Sequence, residues 1–278
     1  MSKIDLASPV VKWVGGKRQL LERLMPLFPK TYTSYCEPFI GGGAVLFALQ
    51  PQNAIINDIN SELIGVYQAI KDNVDALIKR LEQFENTKEC FYDVRGWDRN
   101  AAVYNELTDI DKAARVIFLN KTCYNGLYRV NSAGEFNTPF GCYKKPNIVN
   151  ESTLRAVNKY FNTANVTILN TSYSEAVQGL PENSFVYLDP PYDPISVTAS
   201  FTGYNAGGFS REDQIALRDC CQNLDAAGVK FMLSNSATEF IQDIYSDFNI
   251  TIVPAKRAIN SVGSKRGCVD EVIVRNYE

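Results

Sequence analysis

The stretch Phe185-Val186-Tyr187-Leu188-Asp189-Pro190-Pro191-Tyr192 decides the fold. Four apolar residues in a row read as a strand buried on both faces, which is the pattern of a parallel sheet interior. Two prolines then remove two backbone donors and end the strand abruptly, at an acidic side chain. Working outward, Phe231-Met232-Leu233 repeats the buried-strand pattern, and Leu217, Cys220, Cys221 and Leu224 between them fall at helical spacing. Val272-Ile273-Val274 offers a last strand. Toward the N-terminus, Tyr35-Cys36 leads through Glu37-Pro38-Phe39-Ile40-Gly41-Gly42-Gly43 into an apolar helix start at Ala44 to Leu49. Ala54-Ile55-Ile56 is another short apolar run, closed by Asn57-Asp58. Ser61 is placed to cap a helix whose apolar residues Leu63, Val66, Tyr67 and Ile70 share one face. Strands alternating with helices predict an α/β fold, a mostly parallel sheet with helices on both faces.

The middle of the chain differs. From about residue 71 to 161 the pattern is helical with charged faces, and 123–145 is rich in Tyr, Asn, Gly and Arg. This reads as a helical insertion dividing the α/β domain into 1–70 and 162–278. The segment 193–209 is long, lacks periodicity and carries Gly203, Gly207 and Gly208, so a mobile functional loop is expected there. With 278 residues, 45% of them hydrophobic and 21% charged, the chain has ample material for a core.

Histidine is absent. That excludes Ser-His-Asp triads, His-bearing zinc sites and His-dependent nucleases. Seven cysteines without Cys-x-x-Cys spacing favour a reducing compartment over a disulfide framework. The first residues lack a signal-peptide core and no run reaches membrane-span length, so a soluble cytoplasmic protein is expected. Net charge is only −3, but its distribution is uneven. Residues 111–145 carry Lys112, Arg115, Lys121, Arg129, Lys144 and Lys145 against Asp111 and Glu135, and 255–267 carries four basic residues and no acid. Both stretches suit either a binding face or plain solvated loops.

Two motifs carry chemistry. Phe39-x-Gly41-x-Gly43 sits between a strand and a helix, where glycines admit close backbone approach to a ligand. Asp58 ends the next strand, where an acidic residue meets ribose hydroxyls in nucleoside-binding sheets. Position 46 is Leu, so the third glycine of the dinucleotide fingerprint is missing. In Asp189-Pro190-Pro191-Tyr192, an exposed carboxylate, outward carbonyls and an aromatic ring suit a planar base bearing an amine. Asp189 and the Pro190 carbonyl accept its two hydrogens, and Tyr192 stacks on its ring.

Together these motifs resemble S-adenosylmethionine-dependent amino-methyltransferases, and more narrowly the Dam-type DNA adenine-N6 methyltransferases of the α group, which act on GATC. Lys12-Trp13-x-Gly15-Gly16-Lys17 resembles that family's N-terminal cofactor segment. Cys123-Tyr124-Asn125-Gly126-Leu127-x-Arg129 and Phe136-Asn137-x-Pro139-Phe140-Gly141 resemble its DNA-reading insertion. The resemblance implies a Rossmann-like methyltransferase sheet with a mainly helical DNA-recognition insertion over 71–161. It implies S-adenosylmethionine as methyl donor with no metal, and double-stranded DNA as substrate. Trp13, Lys17, Glu37, Phe39, Gly41, Gly43, Asp58 and Asp189 would line the cofactor site, and Asp189, Pro190 and Tyr192 would carry catalysis. Tyr124 and Asn125 would hold the opened base pair, Arg129 and Lys12 would read guanines with help from Tyr143, and Leu127 and Pro139 would meet the other bases. A monomer is implied, with a cognate restriction endonuclease as a separately acting companion.

Rival readings remain open at this level. Without the resemblance, Trp13 reads as a core aromatic, Lys17 as a solvated helix charge and 124–126 as a bare hairpin turn. Asp-Pro-Pro-Tyr alone is compatible with RNA or cytosine-N4 targets, whereas glutamine-modifying enzymes carry Asn where this chain has Asp189. A non-enzymatic DNA-binding regulator on the same fold is the other class, and the intact Asp189 and Tyr192 count against it.

Overall fold

The computed structural model describes residues 4, 6–194, 208–256 and 268–278. Its strands are β1 (Tyr35–Glu37), β2 (Asn53–Asn57), β3 (Asn165–Leu169), β4 (Phe185–Leu188), β5 (Lys230–Ser236), β6 (Asn249–Lys256) and β7 (Cys268–Arg275). They form one sheet in the order β3-β2-β1-β4-β5-β7-β6. The first five run parallel, and β7 is antiparallel to both β5 and β6. Tyr35 lies opposite Ala54 on one side and Phe185 on the other. The strand order therefore reverses between β1 and β4, which opens a crevice at the carboxyl ends of those two strands.

Alternation along each strand sorts the core into two layers. Tyr35, Ala54, Ile56, Phe185, Tyr187, Met232 and Ile273 face one cluster, while Cys36, Val186, Leu188, Phe231, Leu233, Val272 and Val274 face the other. Helices α1 (Leu21–Leu24), α2 (Ala44–Leu49), α3 (Ser61–Leu81), α4 (Lys88–Gly96), α5 (Ala101–Glu106), α6 (Asp109–Thr122), α7 (Glu151–Thr163), α8 (Tyr173–Ala176), α9 (Arg211–Ala226) and α10 (Glu239–Ile244) complete the described structure. Residues of α2, α3 and α7 join the first cluster, and Leu217, Cys221 and Leu224 of α9 with Ile241 of α10 join the second. The sheet thus has helices on both faces, as the sequence pattern requires.

Two local readings change. The cap of α3 is Asn60, whose Oδ1 accepts the Leu63 N–H at 3.0 Å, so Ser61 is the first helical residue and not the cap. The turn at 124–126 is a single 3₁₀ turn with Asn125 at φ 57°, not a hairpin. The hairpin lies farther on, where the Asn131 N–H reaches Glu135 O at 2.9 Å.

The insertion grows from the first face. α3 runs through residue 71 and is interrupted at Asn73, with φ −151° and ψ 65°. α7 packs back on α3, where Asn158 Nδ2 donates to the carbonyls of Ile70 and Lys71 at 2.7 and 3.0 Å. The apolar cluster of α4 and α6 is continuous with that of the first face. At its centre Arg115, 3% exposed, pairs with Asp98 at 2.5 Å and Glu62 at 3.7 Å and donates to Val94 O and Arg95 O. Arg115 therefore pins three helices together and does not belong to a basic surface. No helix among the described residues is long and apolar enough to cross a membrane. The basic run 257–267 and most of the glycine-bearing segment, 195–207, lie outside the described residues.

Candidate active site

The crevice is lined by carboxylates at strand ends. Glu37 closes β1, is 2% exposed, and accepts the Tyr35 hydroxyl at 2.7 Å. Burial pushes its carboxyl up to about 8 against the opposing hydrogen bond from Tyr35, with Asp189 nearby adding to the rise. Asp58 follows β2 and receives two backbone donors, Gly41 N–H at 3.1 Å and Asn60 N–H at 3.0 Å. Burial also raises its carboxyl. Buried Asn57 laces the region by donating to Pro38 O at 3.0 Å and Thr171 O at 3.1 Å.

The glycines of the turn have distinct reasons. At Gly41, φ is +47° and a Cβ would come within 3.0 Å of Trp13 Cδ1. Trp13 thus lies directly on the turn, and its ring stacks on Tyr128 of the insertion with centroids 4.8 Å apart. At Gly43, φ is +72° and a Cβ would meet the Phe47 ring at 2.8 Å. Phe39 turns the other way, stacking on Tyr173 at 5.3 Å and meeting Phe209 edge-on at 6.3 Å.

Asp189, at the end of β4, is not an exposed acceptor as its sequence context predicts. Lys17 Nζ lies 2.6 Å from Asp189 Oδ1, and the two side chains are only 5% and 18% exposed. The ammonium also donates to Gly15 O at 2.9 Å and sits 4.6 Å from the centroid of the Tyr192 ring. Burial raises the Asp189 carboxyl to about 6 even against the pull of Lys17, and Glu271 pushes in the same upward direction. The Tyr192 hydroxyl donates to Glu271 Oε2 at 2.8 Å. Glu271 stands on β7 opposite Ser236 of β5. Of the two carbonyls expected to face outward, that of Pro191 turns inward and accepts Gln214 Nε2 at 2.8 Å. Gln214 in turn accepts Asn235 Nδ2 at 3.0 Å, and Asn235 Oδ1 takes the Asp193 N–H at 3.0 Å. Side chains from β5 and α9 therefore hold the motif rigidly. Sequence reasoning missed Glu271, Gln214 and Asn235, because each acts across a long stretch of chain and none belongs to a local motif.

Apart from Lys12, the residues expected to read DNA lie on one irregular ribbon. Tyr124 N–H donates to Pro139 O at 2.8 Å, and Asn137 N–H to Arg129 O at 2.9 Å. Tyr124, Asn125, Arg129, Pro139 and Tyr143 are exposed, and Leu127 is half-buried. Arg129 Nε donates to Asn137 Oδ1 at 2.7 Å, which orients the guanidinium. Beside the ribbon, Lys12, Lys121, Lys144, Lys145 and Tyr143 line a groove of about 370 Å³. Of the six basic side chains in 111–145, three thus line this groove, Arg129 belongs to the ribbon, Lys112 lies over the Tyr104 ring, and Arg115 is taken up by the core.

A mostly parallel sheet with a reversed strand order, carboxylates at the strand ends and a clamped Asp-Pro-Pro-Tyr turn are compatible with an amino-methyltransferase. Comparison with known proteins narrows this. Residues 13–259 match the model of the D12 class N6 adenine-specific DNA methyltransferases, and the chain belongs to that family. It is 45% identical to the Type II methyltransferase M1.LlaDCHI of Lactococcus lactis subsp. cremoris, over 99% of this chain and 97% of that one. It is 42% identical to the Type II methyltransferase M.MjaIII of Methanocaldococcus jannaschii, over 97% and 99% of the two chains. It is 32% identical to the DNA adenine methylase of Escherichia coli K12, over 95% and 93%. The protein is an N6 adenine-specific DNA methyltransferase, and its family implies S-adenosylmethionine as methyl donor.

Proposed function

We propose that this methyltransferase modifies the adenine of GATC in double-stranded DNA, at a site built on Asp189, Pro190 and Tyr192. The observation that carries this reading is the Lys17–Asp189 pair at the switch point, with Tyr192 beside it. The exocyclic amine of adenine is a poor nucleophile because its lone pair is conjugated with the ring. Hydrogen bonds from that amine to Asp189 and to the Pro190 carbonyl favour a pyramidal nitrogen, and Tyr192 stacks on the base. Lys17 keeps Asp189 ionised in a buried setting, so the carboxylate accepts rather than donates. Catalysis then rests on positioning, and no general base titrating near neutrality is needed. Opening the base pair costs a few kcal/mol, which stacking on Tyr192 and filling of the gap by Tyr124 offset.

The crevice suits S-adenosylmethionine by its charge. Three carboxyl side chains (Glu37, Asp58 and Asp189) stand at the strand ends there, and burial raises all three, so a ligand bearing sulfonium and ammonium charges would draw them toward their ionised forms. Trp13, Lys17, Glu37, Phe39, Gly41, Gly43, Asp58 and Asp189 would hold it, with Asp58 on the ribose. When bound, it supplies an activated methyl group. In the same reading, residues 71–161 form the recognition domain and 1–70 with 162–278 the catalytic one. Lys12 and Arg129 contact guanines, Tyr124 and Asn125 hold the opened pair, and Leu127, Pro139 and Tyr143 complete the interface. The enzyme acts as a cytoplasmic monomer. The Type II names of two relatives fit a companion restriction endonuclease, the adenine methylase relatives support adenine as the target, and GATC rests on the motif resemblance.

The test is transfer of labelled methyl groups to duplexes that differ only in the presence of GATC. Incorporation confined to the GATC duplex is expected. Equal incorporation into both, or transfer to RNA instead, would refute the assignment.

A further inference from the structure

We infer that Asn120 is the positioning residue that aims Lys12 at the DNA, and so sets base discrimination without touching DNA itself. Asn120 is 1% exposed, near the end of α6. Its Oδ1 accepts the Lys12 N–H at 2.8 Å, and its Nδ2 donates to Lys12 O at 2.8 Å and to Gly126 O at 3.1 Å. One side-chain amide thus takes both backbone polar groups of residue 12, in the manner of a strand neighbour, and ties them to the recognition turn. The turn is shaped to receive the lysine stem. Gly126 has φ +65°, and a Cβ there would come within 2.5 Å of Lys12 Cδ.

The anchoring has a chemical purpose. A lysine side chain has four flexible carbons and a point charge, so it discriminates only if its base is held and its stem is guided. Asn120 supplies the first condition and Gly126 the second. The same short segment continues through Trp13, stacked on Tyr128, to Lys17 on Asp189. Residue 12 is therefore the outer end of a segment whose inner end lies at the reacting centre, and Asn120 fixes that outer end.

This inference rests on the reading of Lys12 as a base contact, and the experiment separates the two. The readout is the ratio of kcat/KM on GATC to that on a duplex with a guanine of the site replaced. Asn120→Asp keeps the acceptor for Lys12 N–H but sets an oxygen against two carbonyls, so the ratio should fall about tenfold, as a lost base contact does. Gly126→Ala keeps the amide but displaces the stem, and should do the same if Asn120→Asp fails to fold. Adding either change to Lys12→Ala should lower the ratio no further than Lys12→Ala alone. A folded variant that slows all sites equally, or losses that add in the double variant, would overturn the positioning role while leaving Lys12 as a reader. An undiminished ratio in Lys12→Ala would overturn the reading of Lys12 and the inference with it.

Discussion

Asp189 illustrates how a local motif misleads about its own setting. The sequence places it at a strand end, where its loss should spare the fold. The structure instead buries it against Lys17, and breaking one side of a buried pair costs about 3–5 kcal/mol. Asp189→Ala should therefore abolish methyl transfer and also lower stability by roughly that amount. Asp189→Ala combined with Lys17→Met should remain inactive but regain much of the lost stability in urea unfolding, since no charge is then stranded. A single variant as stable as the parent would argue against the pair. Protonation gives a second handle. Burial raises Asp189 from 3.8 to about 6, so the accepting carboxylate is lost as pH falls through that value. The kcat profile should show an acid limb near pH 6, whereas a limb near 4 would mean that the group is not desolvated in the working enzyme. The same shift sets the sign for folding. This group's contribution is fully present below about pH 4 and is lost as pH rises through about 6.

At the scale of elements, legibility followed burial. β4 and the segments Phe231–Leu233 of β5 and Val272–Val274 of β7 are buried apolar runs, and β1 is fully buried, so their sequences announce them. β3 and β6 are the two edge strands. Asn165–Leu169 mixes exposed and buried positions, and Ile252 of β6 is 50% exposed, so neither presents the continuous run that marks a central strand. The Asp189-Pro190-Pro191-Tyr192 motif was legible because its residues are contiguous. Its supports were not, since Glu271, Gln214 and Asn235 reach it only through strand pairing and helix packing. The Arg115 cluster is a further long-range element, joining α3, α4 and the segment that follows it. Arg115→Ala should destabilise by about 1–3 kcal/mol, the cost of the lost charged hydrogen bonds, since Asp98 keeps its pair with Arg99 and Glu62 keeps the Tyr104 hydroxyl. Chemical denaturation checks this, and an unchanged midpoint would mean that the pair contributes nothing net.

Over the whole molecule, a net charge of −3 hides a division of labour. Carboxylates collect at the sheet crevice, and lysines collect along the groove of the insertion. Two kinds of cation contact should then separate experimentally. Lys144→Ala or Lys145→Ala should weaken all DNA sequences alike and flatten the dependence of log K on log salt by about 0.9 per phosphate lost. Arg129→Ala should instead reduce discrimination at one guanine by about 1–3 kcal/mol while methyl transfer survives. If Arg129→Ala behaves like the lysine variants, base reading belongs to other residues. The most direct test of the central claim is the identity of the product. A GATC duplex methylated to completion and digested to nucleosides should yield N6-methyl-2′-deoxyadenosine and no other methylated nucleoside, and a duplex lacking GATC but containing other adenines should yield none. A methyl group on cytosine N4, or on adenines outside GATC, would contradict the account.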